Sequence, residues 1–336
     1  MTPPTHRSLE LPRLGLIAVE VEARALRDTQ LPPYLGATLR GSLGRALRQA
    51  VCVTEAPTCD GCALVARCPY GSTWEAKSEH VGDMGALGRG EWPRPYVIGV
   101  WKAPELLRTG KTIRFRLSLF GRARDFLPHY LVALRTALEH GLGPRRAPFV
   151  IERAVTAGLT GGPHPDARGL VLVSENELIP WAALPDTTLW NLVHRRVDQP
   201  NETVELELAT PLAIQVDGRV STTLVIGALV SRLCERIDRL QMAWGGGFEP
   251  LLDYEALQAL AASARVTRLD TRLVAFERRS DRSGRVPMEG IVGRATLTGL
   301  APPLFSLLAA AEWTHVGKQA TFGFGRISLR APNHRT

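Results

Sequence analysis

Long apolar runs are missing from this chain of 336 residues. No stretch approaches the roughly 18 consecutive apolar residues that a membrane-spanning helix requires, so we expect no membrane partner. The first residues, Met1 to Leu11, hold no apolar core of the kind that signal peptides carry. We therefore expect a cytoplasmic protein, and its length suits two domains.

Lysine is scarce, although the chain is strongly basic. Of its 41 lysine and arginine residues only Lys77, Lys102, Lys111 and Lys318 are lysines, and its net charge is +8. Arginine grips phosphate through two parallel hydrogen bonds and stacks on bases. An arginine-favouring, GC-rich genome explains the same composition equally well. Composition alone therefore makes a nucleic-acid partner a hypothesis and no more.

Cysteine is rare outside one segment. Four of the five cysteines follow the spacing C-x6-C-x2-C-x5-C: Cys52, Cys59, Cys62 and Cys68. Four thiolates in so short a segment match a tetrahedral zinc site, and its expected role is structural because all four ligands would be cysteine. A cytoplasmic location disfavours disulfides. An iron–sulfur cluster and an empty reduced cluster are the alternatives, and Cys234 is expected to be a core thiol.

The first half of the chain shows the periodicities of one β-α-β-β-α-β unit. Its predicted strands and helices, in order, are Leu14–Val21, the helix Leu35–Ala50, Pro95–Trp101, Lys111–Leu119, the helix Asp125–His140, and Phe149–Val155. Tyr70 to Arg94 lacks periodicity and is predicted to be a loop. Gly161 to Pro200, rich in proline and glycine, is predicted to form a hairpin and a linker.

The second half repeats the same order. The predicted elements are the strand Thr203–Leu208, a helix capped by Ser221 and ending near Trp244, the strands Arg265–Phe276 and Gly290–Leu297, the helix Pro303–Trp313, and a last strand within Gly323–Leu329. The expected fold class is α+β, with tandem ferredoxin-like (RRM/RAMP) domains and a zinc-knuckle insertion. We expect domains at residues 1–180 (with the insertion at about 51–94) and 201–336, joined by a linker at 181–200.

A glycine-rich loop lies between the last predicted helix and the last strand. It runs from His315 to Arg326 and contains Gly317, Lys318, Gly323 and Gly325. Glycines permit positive φ and a close approach to a ligand, and exposed amides can cradle phosphate oxygens. The order helix, loop, strand excludes a nucleotide-binding P-loop, which opens a helix. The loop is therefore interpreted as a clamp on backbone phosphates, with a plain glycine turn as the alternative.

Three stretches together resemble one known family. They are Gly290-Ile-Val-Gly293-Arg294 with the loop that holds Gly317-Lys318 and Gly323-Phe324-Gly325; Tyr34 to Arg48 followed by the cysteines; and Pro95 to Phe149. Their order is similar to that of the CRISPR-associated endoribonucleases that process precursor guide RNA, the Cas6 family of the RAMP superfamily. The resemblance covers most of the chain.

This resemblance implies a reaction. Such enzymes cut CRISPR repeat RNA without metal: the 2′-hydroxyl attacks the adjacent phosphate, and a 2′,3′-cyclic phosphate and a 5′-hydroxyl result, with the product guide RNA retained. The chemistry needs a base, a cation near the phosphorane and a donor for the leaving oxygen. The family often takes its base from a histidine in the first domain. This chain departs from that pattern, because no histidine lies between Tyr34 and Ala50.

Other residues are therefore candidates for the chemistry. His315 abuts the glycine-rich loop, His80 follows the cysteines, and Tyr34 with Arg40 could orient the hydroxyl and stabilise charge. The arginines of the first helix form either a solvated face or one wall of a basic cleft. The predicted RNA-binding residues are Arg45, Arg48, Arg294, Gly317, Lys318, Gly323, Phe324, Gly325 and Arg326.

Two other functions stay open at this point. A non-catalytic RAMP subunit that binds guide RNA among the subunits of a CRISPR effector complex would share the fold and the arginines and would need no base. A zinc-knuckle interaction protein would have no RNA role. Strong salt dependence of RNA binding would count against that last alternative.

Overall fold

The computed structural model describes residues 7–76, 92–157, 169–194, 203–247, 251–280 and 284–330. The chain divides into two compact units. The first unit comprises Leu14–Thr188 and Arg239–Phe248, and the second comprises Met1–Arg13, Leu189–Asp238 and Glu249–Thr336. Neither unit is contiguous in sequence, because Met1–Arg13 belongs to the second unit and Arg239–Phe248 belongs to the first. The domains expected from the sequence were contiguous.

The first unit is built on a six-stranded antiparallel sheet of order β3-β5-β1-β6-β7-β8. Its elements are β1 (Leu16–Ala25), β2 (Thr29–Gln30), α1 (Leu35–Val51), β3 (Tyr96–Val100), β4 (Leu106–Leu107), β5 (Thr112–Phe120), α2 (Leu127–Glu139), β6 (Phe149–Thr156), β7 (Val171–Ser174) and β8 (Glu177–Leu178). Strands β2 and β4 pair apart from the main sheet. The hairpin predicted within Gly161–Pro200 is confirmed as β7–β8, and it extends the sheet.

Apolar side chains on one face of this sheet form the core with α1 and α2. The helix predicted at Leu35–Ala50 is confirmed, and the four leucines whose helical spacing predicts it, Leu35, Leu39, Leu43 and Leu47, are all buried. The alternation in β5 is confirmed too, and its apolar residues face those of β1, as in the pairs Val21↔Phe115 and Val19↔Leu117. Burial of this face fixes the register, because a slip by one residue would turn every apolar side chain outward.

The other face of β1 carries two glutamates that pair with arginines of β5. Glu20 lies 2.7 Å from Arg116, and Glu22 lies 2.6 Å from Arg114. Arg116 is only 4% exposed and stacks on the ring of Trp101 at 5.3 Å. Arg116 thus lies on the face opposite the apolar residues of β5, and the paired carboxylate and the aromatic ring explain how this cation is buried there.

The second unit has a four-stranded antiparallel sheet of order β12-β13-β9-β14. Its elements are α3 (Leu189–His194), β9 (Thr203–Leu212), β10 (Gln215–Val216), β11 (Arg219–Val220), α4 (Ile226–Trp244), α5 (Tyr254–Ser263), β12 (Arg265–Ser280), β13 (Gly284–Thr298), α6 (Pro302–Thr314) and β14 (Ile327–Arg330). The end of α4 is counted with the first unit. Helix α3 replaces part of the predicted linker, and residues 195–200 lie outside the described ranges.

One local prediction in this unit is wrong, and one helix was missed. Ser221 does not cap a helix, because α4 begins at Ile226 and the Ser221 hydroxyl donates to the carbonyl of Thr223 at 2.9 Å. Helix α5 was not predicted at all. Its N-cap is Asp253, whose carboxylate accepts a hydrogen bond from the amide of Ala256 at 3.0 Å, which is the usual way to satisfy a helix start.

Both sheets share one strand order. When the four main strands of each unit are numbered along the chain, the order is 2-3-1-4: β3-β5-β1-β6 in the first unit and β12-β13-β9-β14 in the second. A helix follows the first and the third of these strands in each case. The predicted α+β class and the twice-repeated element order are thus confirmed. Within the described ranges, no helix has the length and apolar character needed to span a membrane.

Candidate RNA-binding and metal-binding elements

The glycine-rich loop joins α6 to β14 at the edge of the second sheet. Gly317, Gly323 and Gly325 all adopt positive φ, at 82°, 94° and 73°. A Cβ at Gly325 would overlap the carbonyl oxygen of Val316, and one at Gly317 would press on the carbonyl of Ala213. The loop path therefore requires glycine at both places.

The amides of this loop bond mainly to the loop itself and to the end of β9. Val316 donates to the carbonyl of Gly325 at 3.1 Å, and Gly325 donates to Pro211 at 2.8 Å. Lys318 donates to Ala213 at 2.9 Å. These three amides are not available to phosphate, because the loop is in part a self-bonded turn, and the clamp on backbone phosphates stays a prediction. What it presents outward is the exposed side chain of Lys318.

His315 lies inside the unit, at the C-terminal end of α6. It is 1% exposed, and its Nδ1 lies 2.9 Å from the carbonyl oxygen of Phe324. Because a carbonyl oxygen only accepts, Nδ1 is the nitrogen that carries the proton. This bond ties the two ends of the loop together. The catalytic role expected for His315 stays a prediction, and the observed geometry is that of a residue that shapes the loop.

Two further predicted RNA contacts are also occupied inside the unit. Phe324 is fully buried and packs edge-on against Phe276, with ring centroids 6.4 Å apart, so it does not present a face to a base. Arg326 is 9% exposed; its amide donates to Thr210 Oγ1 at 2.9 Å and its carbonyl accepts from Ala209 at 3.0 Å. Both residues anchor the loop to its surroundings.

Arg294 and a neighbouring arginine lie on the polar face of the second sheet. Arg294 approaches Glu205 at 3.6 Å and Glu207 at 4.0 Å, while Arg330 pairs with Glu207 at 2.9 Å. About half of the Arg294 side chain is exposed, so it keeps access to solvent while its charge is partly balanced. This arrangement repeats the glutamate–arginine pairs of β1 and β5 in the first unit.

The structure adds a cation–aromatic pair, Arg278 over Phe322, that the sequence did not single out. Phe322, in the glycine-rich loop, is half-buried, and the guanidinium of Arg278 lies 4.9 Å from its ring centroid. An arginine over an aromatic ring is the kind of surface on which an unstacked base can lie. The glycine-flanked Phe322-Gly323-Phe324 sequence was the available signal, but it does not say which phenylalanine faces outward.

Helix α1 places the other candidate catalytic residues. Tyr34 precedes the helix in an extended conformation and packs, half-buried, on the first core. The Nε of Arg40 donates to the hydroxyl of Tyr96 at 3.1 Å, and its guanidinium lies 4.9 Å from the ring of Trp74. Trp74 in turn stacks on Tyr96, with centroids 4.4 Å apart. Arg40 is therefore held against an aromatic stack.

The remaining arginines of α1 differ from each other. Arg45 is exposed, in agreement with a surface role. Arg48 donates to the carbonyl of Ala56 and lies over the ring of Tyr70 at 5.8 Å, so it contacts the segment that holds the cysteines. Gly44 sits under the indole of Trp74, and a Cβ there would come within 2.5 Å of that ring. The aromatic stack thus rests directly on the helix backbone.

Among the described residues, the other histidines lie at exposed positions. His129 and His140 belong to the end regions of α2, and His194 stacks on Trp190 with ring centroids 4.2 Å apart. None of the residues of α1 is a histidine. His80, a predicted catalytic candidate, falls in residues 77–91, outside the described ranges.

The four clustered cysteines line one cavity of about 230 Å³, together with Val51, Val53, Leu64, Val65 and Tyr70 among others. The four cysteines are half-buried, and none of them forms a disulfide. Burial, the nearby charge of Glu75 and that of Cys68 raise the pKa of Cys59 to about 11. As the side chains stand, no three metal-ligating groups in the described part of the chain converge on one point. The zinc site and its four ligands therefore stay a prediction.

Two antiparallel sheets of one strand order, with a glycine-rich turn before the final strand, define a two-unit α+β protein. Solved structures of this architecture are similar to it over nearly its whole length. Thermus thermophilus Cas6 is 17% identical to this chain, with a TM-score of 0.52. The match covers 95% of this chain and 100% of the Cas6 chain. A Cas6 product complex is 21% identical, with coverages of 94% and 100% and a TM-score of 0.52. A chain of a partial Cas6-RT-Cas1–Cas2 complex is 14% identical, with a TM-score of 0.57; the match covers 96% of this chain and 47% of that one.

Two family models match different parts of the chain. A model of the CRISPR-associated endoribonuclease Cas6 matches residues 206–327, and a second model, described as an N-terminal domain, matches residues 12–177. An uncharacterized protein of Archaeoglobus fulgidus is 25% identical over 307 residues, which is 90% of this chain and 93% of the relative. The C-terminal part of the chain is thus similar to the Cas6 family of CRISPR-associated endoribonucleases, and its fold is similar to that of solved Cas6 structures.

Proposed function

We propose that this protein cleaves CRISPR repeat RNA and keeps the resulting guide RNA. The observation that carries the proposal is the match of its second unit, including the glycine-rich loop, to the Cas6 family model. The Cas6-like fold over 94% of the chain supports it, as does a product complex among the similar structures. The shared 2-3-1-4 strand order supports a tandem ferredoxin-like description of the two units.

The proposed reaction needs no metal. The 2′-hydroxyl beside the scissile phosphate attacks in line, its proton leaves to a base, and the 5′-oxygen of the next nucleotide departs with a proton. A 2′,3′-cyclic phosphate and a 5′-hydroxyl remain. A cation near the phosphorane stabilises the charge that develops there. Lys318 is the exposed cation of the glycine-rich loop, and Phe322 of the same loop forms a stacking surface with Arg278.

Tyr34 and Arg40 have different parts in this proposal. Tyr34 would orient the attacking hydroxyl, since a phenol can both donate and accept a hydrogen bond. Arg40 is held by Trp74 and Tyr96, so its contribution would be to position the start of α1 rather than to reach the phosphate. His315 would act through the loop that it fastens. His80 stays a candidate for the base.

The experiment is a cleavage assay with the full-length protein and the repeat RNA of its own genome. We expect cutting in the presence of a chelator, product ends of the stated kind by mass spectrometry, and no cutting when the nucleotide before the scissile phosphate is 2′-deoxy. Products with 5′-phosphates, or a strict requirement for Mg²⁺, would refute this mechanism.

A second candidate is a non-catalytic RAMP subunit that lines or caps a guide-RNA complex. The specific observation in its favour is that α1 contains no histidine while His315 is buried in the loop it supports. Tight binding of uncut repeat RNA, with copurification of CRISPR effector subunits, would establish this alternative. Unchanged cleavage after separate Ala substitution of Tyr34, Arg40, His80 and His315 would instead place the chemistry on other residues.

A further inference from the structure

The segment after α1 has almost nothing of its own to hold it in place. From Val51 to Tyr70 no residue is buried. Val53 is 78% exposed and Leu64 is 50% exposed, whereas Val51 and Tyr70, at the two ends of the segment, pack against the first core. A stretch of this length without a core normally needs a covalent or metal cross-link to adopt one conformation.

The backbone of the segment nevertheless forms defined turns around its cysteines. Cys62 donates to the carbonyl of Cys59 at 3.2 Å, Val65 donates to Cys62 at 3.1 Å, and Cys68 donates to Leu64 at 2.9 Å. The amide of Gly71 lies 3.5 Å from the Sγ of Cys68, a distance at which an N–H can donate to sulfur. Hydrogen bonds of this kind orient and stabilise a ligating thiolate.

The four thiols also share their surroundings. All four line the same cavity, whose walls are largely aliphatic and aromatic and include Arg67. Arg48 lies beside the cavity, where it contacts Ala56 and Tyr70. Four thiolates around a divalent ion carry a net double negative charge, and these two arginines offset it. Cysteine sulfur is the donor that selects zinc over magnesium or calcium.

We propose that Cys52, Cys59, Cys62 and Cys68 bind one Zn²⁺ in a closed, tetrahedral site that holds this segment against α1. The thiols reach the ion by rotating into the cavity that they already line. Because no coordination position stays open for water, the site is structural and takes no part in RNA cleavage. This inference goes beyond the proposed reaction and does not depend on it.

Two aromatic side chains, Tyr70 and Trp74, connect the cysteine cavity to Arg40 on α1. Tyr70 lines the cavity and stacks on Trp74 at 6.4 Å between centroids, and Trp74 carries Arg40 on its ring. Ordering the cysteine segment therefore orders the stack that holds Arg40. Loss of zinc is expected to change the fluorescence of Trp74 as well as the stability of the segment.

The test uses the full-length protein purified without chelator. Mass spectrometry of the metals should find about one zinc per chain in the wild type and in the control Cys234→Ser, whose thiol is buried in α4. Cys59→Ser and Cys62→Ser should lose most of that zinc. Replacement by Co²⁺ should give the thiolate-to-metal charge-transfer and d–d bands of a tetrahedral cobalt site.

Several outcomes would overturn the proposal. One is a metal-free wild type whose four clustered thiols react freely with a thiol reagent without a change in thermal stability. A second is a protein that contains iron and has the absorption of an iron–sulfur cluster. A third is a protein with disulfides between the clustered cysteines. Should the serine variants fail to fold, stripping zinc from the wild type with a chelator and restoring it supplies the same measurement. A zinc-loaded protein that does not cut RNA would refute the proposed reaction alone, and a zinc-free protein that cuts it would refute this site alone.

Discussion

Replacement of Gly325 by alanine tests whether the glycine-rich loop is the self-bonded turn described above. Gly325 has φ of 73°, which costs an alanine about 1–2 kcal/mol. Its new Cβ would also overlap the carbonyl of Val316. Relief of that overlap breaks the hydrogen bonds of Val316 to Gly325 (3.1 Å) and of Gly325 to Pro211 (2.8 Å), each worth about 1 kcal/mol.

The matched control is Gly218→Ala in the β10–β11 turn of the same unit. Gly218 has φ of 77°, and a Cβ there would meet nothing within 4 Å. Both variants pay the cost of positive φ, so their difference isolates the crowding and the lost bonds. We expect Gly325→Ala to be less stable than Gly218→Ala by about 2 kcal/mol, which corresponds to a melting temperature lower by about 4–8 °C.

Stability is read from thermal and urea unfolding, and function from repeat-RNA binding and cleavage. Gly325→Ala should also weaken RNA binding, because the side chain of Lys318 is presented by the same loop, whereas Gly218→Ala should bind normally. Equal stability of the two variants would refute the loop geometry. A destabilised Gly325→Ala that binds RNA with wild-type affinity would show that the loop supports the fold and not the RNA.

Three other predictions concern charge. Asp238 is 2% exposed, accepts hydrogen bonds from the amides of Leu251 and Leu252, and has its pKa raised by burial from 3.8 to about 6. Because the pKa of Asp238 is raised in the folded state, the carboxyl stabilises the fold below about pH 4, and this contribution of about 3 kcal/mol is lost as pH rises through 6. Urea unfolding measured across this pH range should show the loss of stability. A pH profile of stability that is the same in Asp238→Asn as in the wild type would contradict the prediction. Lys318→Ala should weaken RNA binding and lower the slope of log affinity against log salt by about one, while Lys111→Ala, an exposed lysine of the first unit, should leave that slope unchanged. Arg40→Ala should destabilise the first unit by about 1–2 kcal/mol through loss of its aromatic contacts, and cleavage that falls far more than this stability loss explains would show that Arg40 has a direct part in the chemistry.

The element order was accessible from sequence because it rests on periodicity. The stripe Leu35, Leu39, Leu43 and Leu47 and the alternation in β5 both record which face of an element is buried. Helix α5 was missed because it is short and follows a glycine-rich stretch, and its cap, Asp253, is a residue type equally common in turns.

The candidate site was less accessible, because its contacts join residues far apart in the chain. Nothing near Arg40 in sequence indicates that Tyr96, 56 residues later, receives its hydrogen bond. Glycines in the final loop correctly indicate positive φ, but they do not reveal that the loop amides bond to β9. Phe322 and Phe324 flank the same glycine, and only tertiary packing decides that Phe324 is buried.

The exchange of chain between the units bears on any attempt to divide this protein. A cut between residues 188 and 189 would deprive the first unit of Arg239–Phe248. That piece contains Trp244, whose Nε1 donates to the carbonyl of Pro93 at 2.8 Å and whose carbonyl packs on Gly121. The remaining half would lose Ser8, which bonds to Leu251 and Asp253 ahead of α5. Neither fragment would be a whole folding unit, so insertions, fusions and half-swaps between relatives must carry both pieces along.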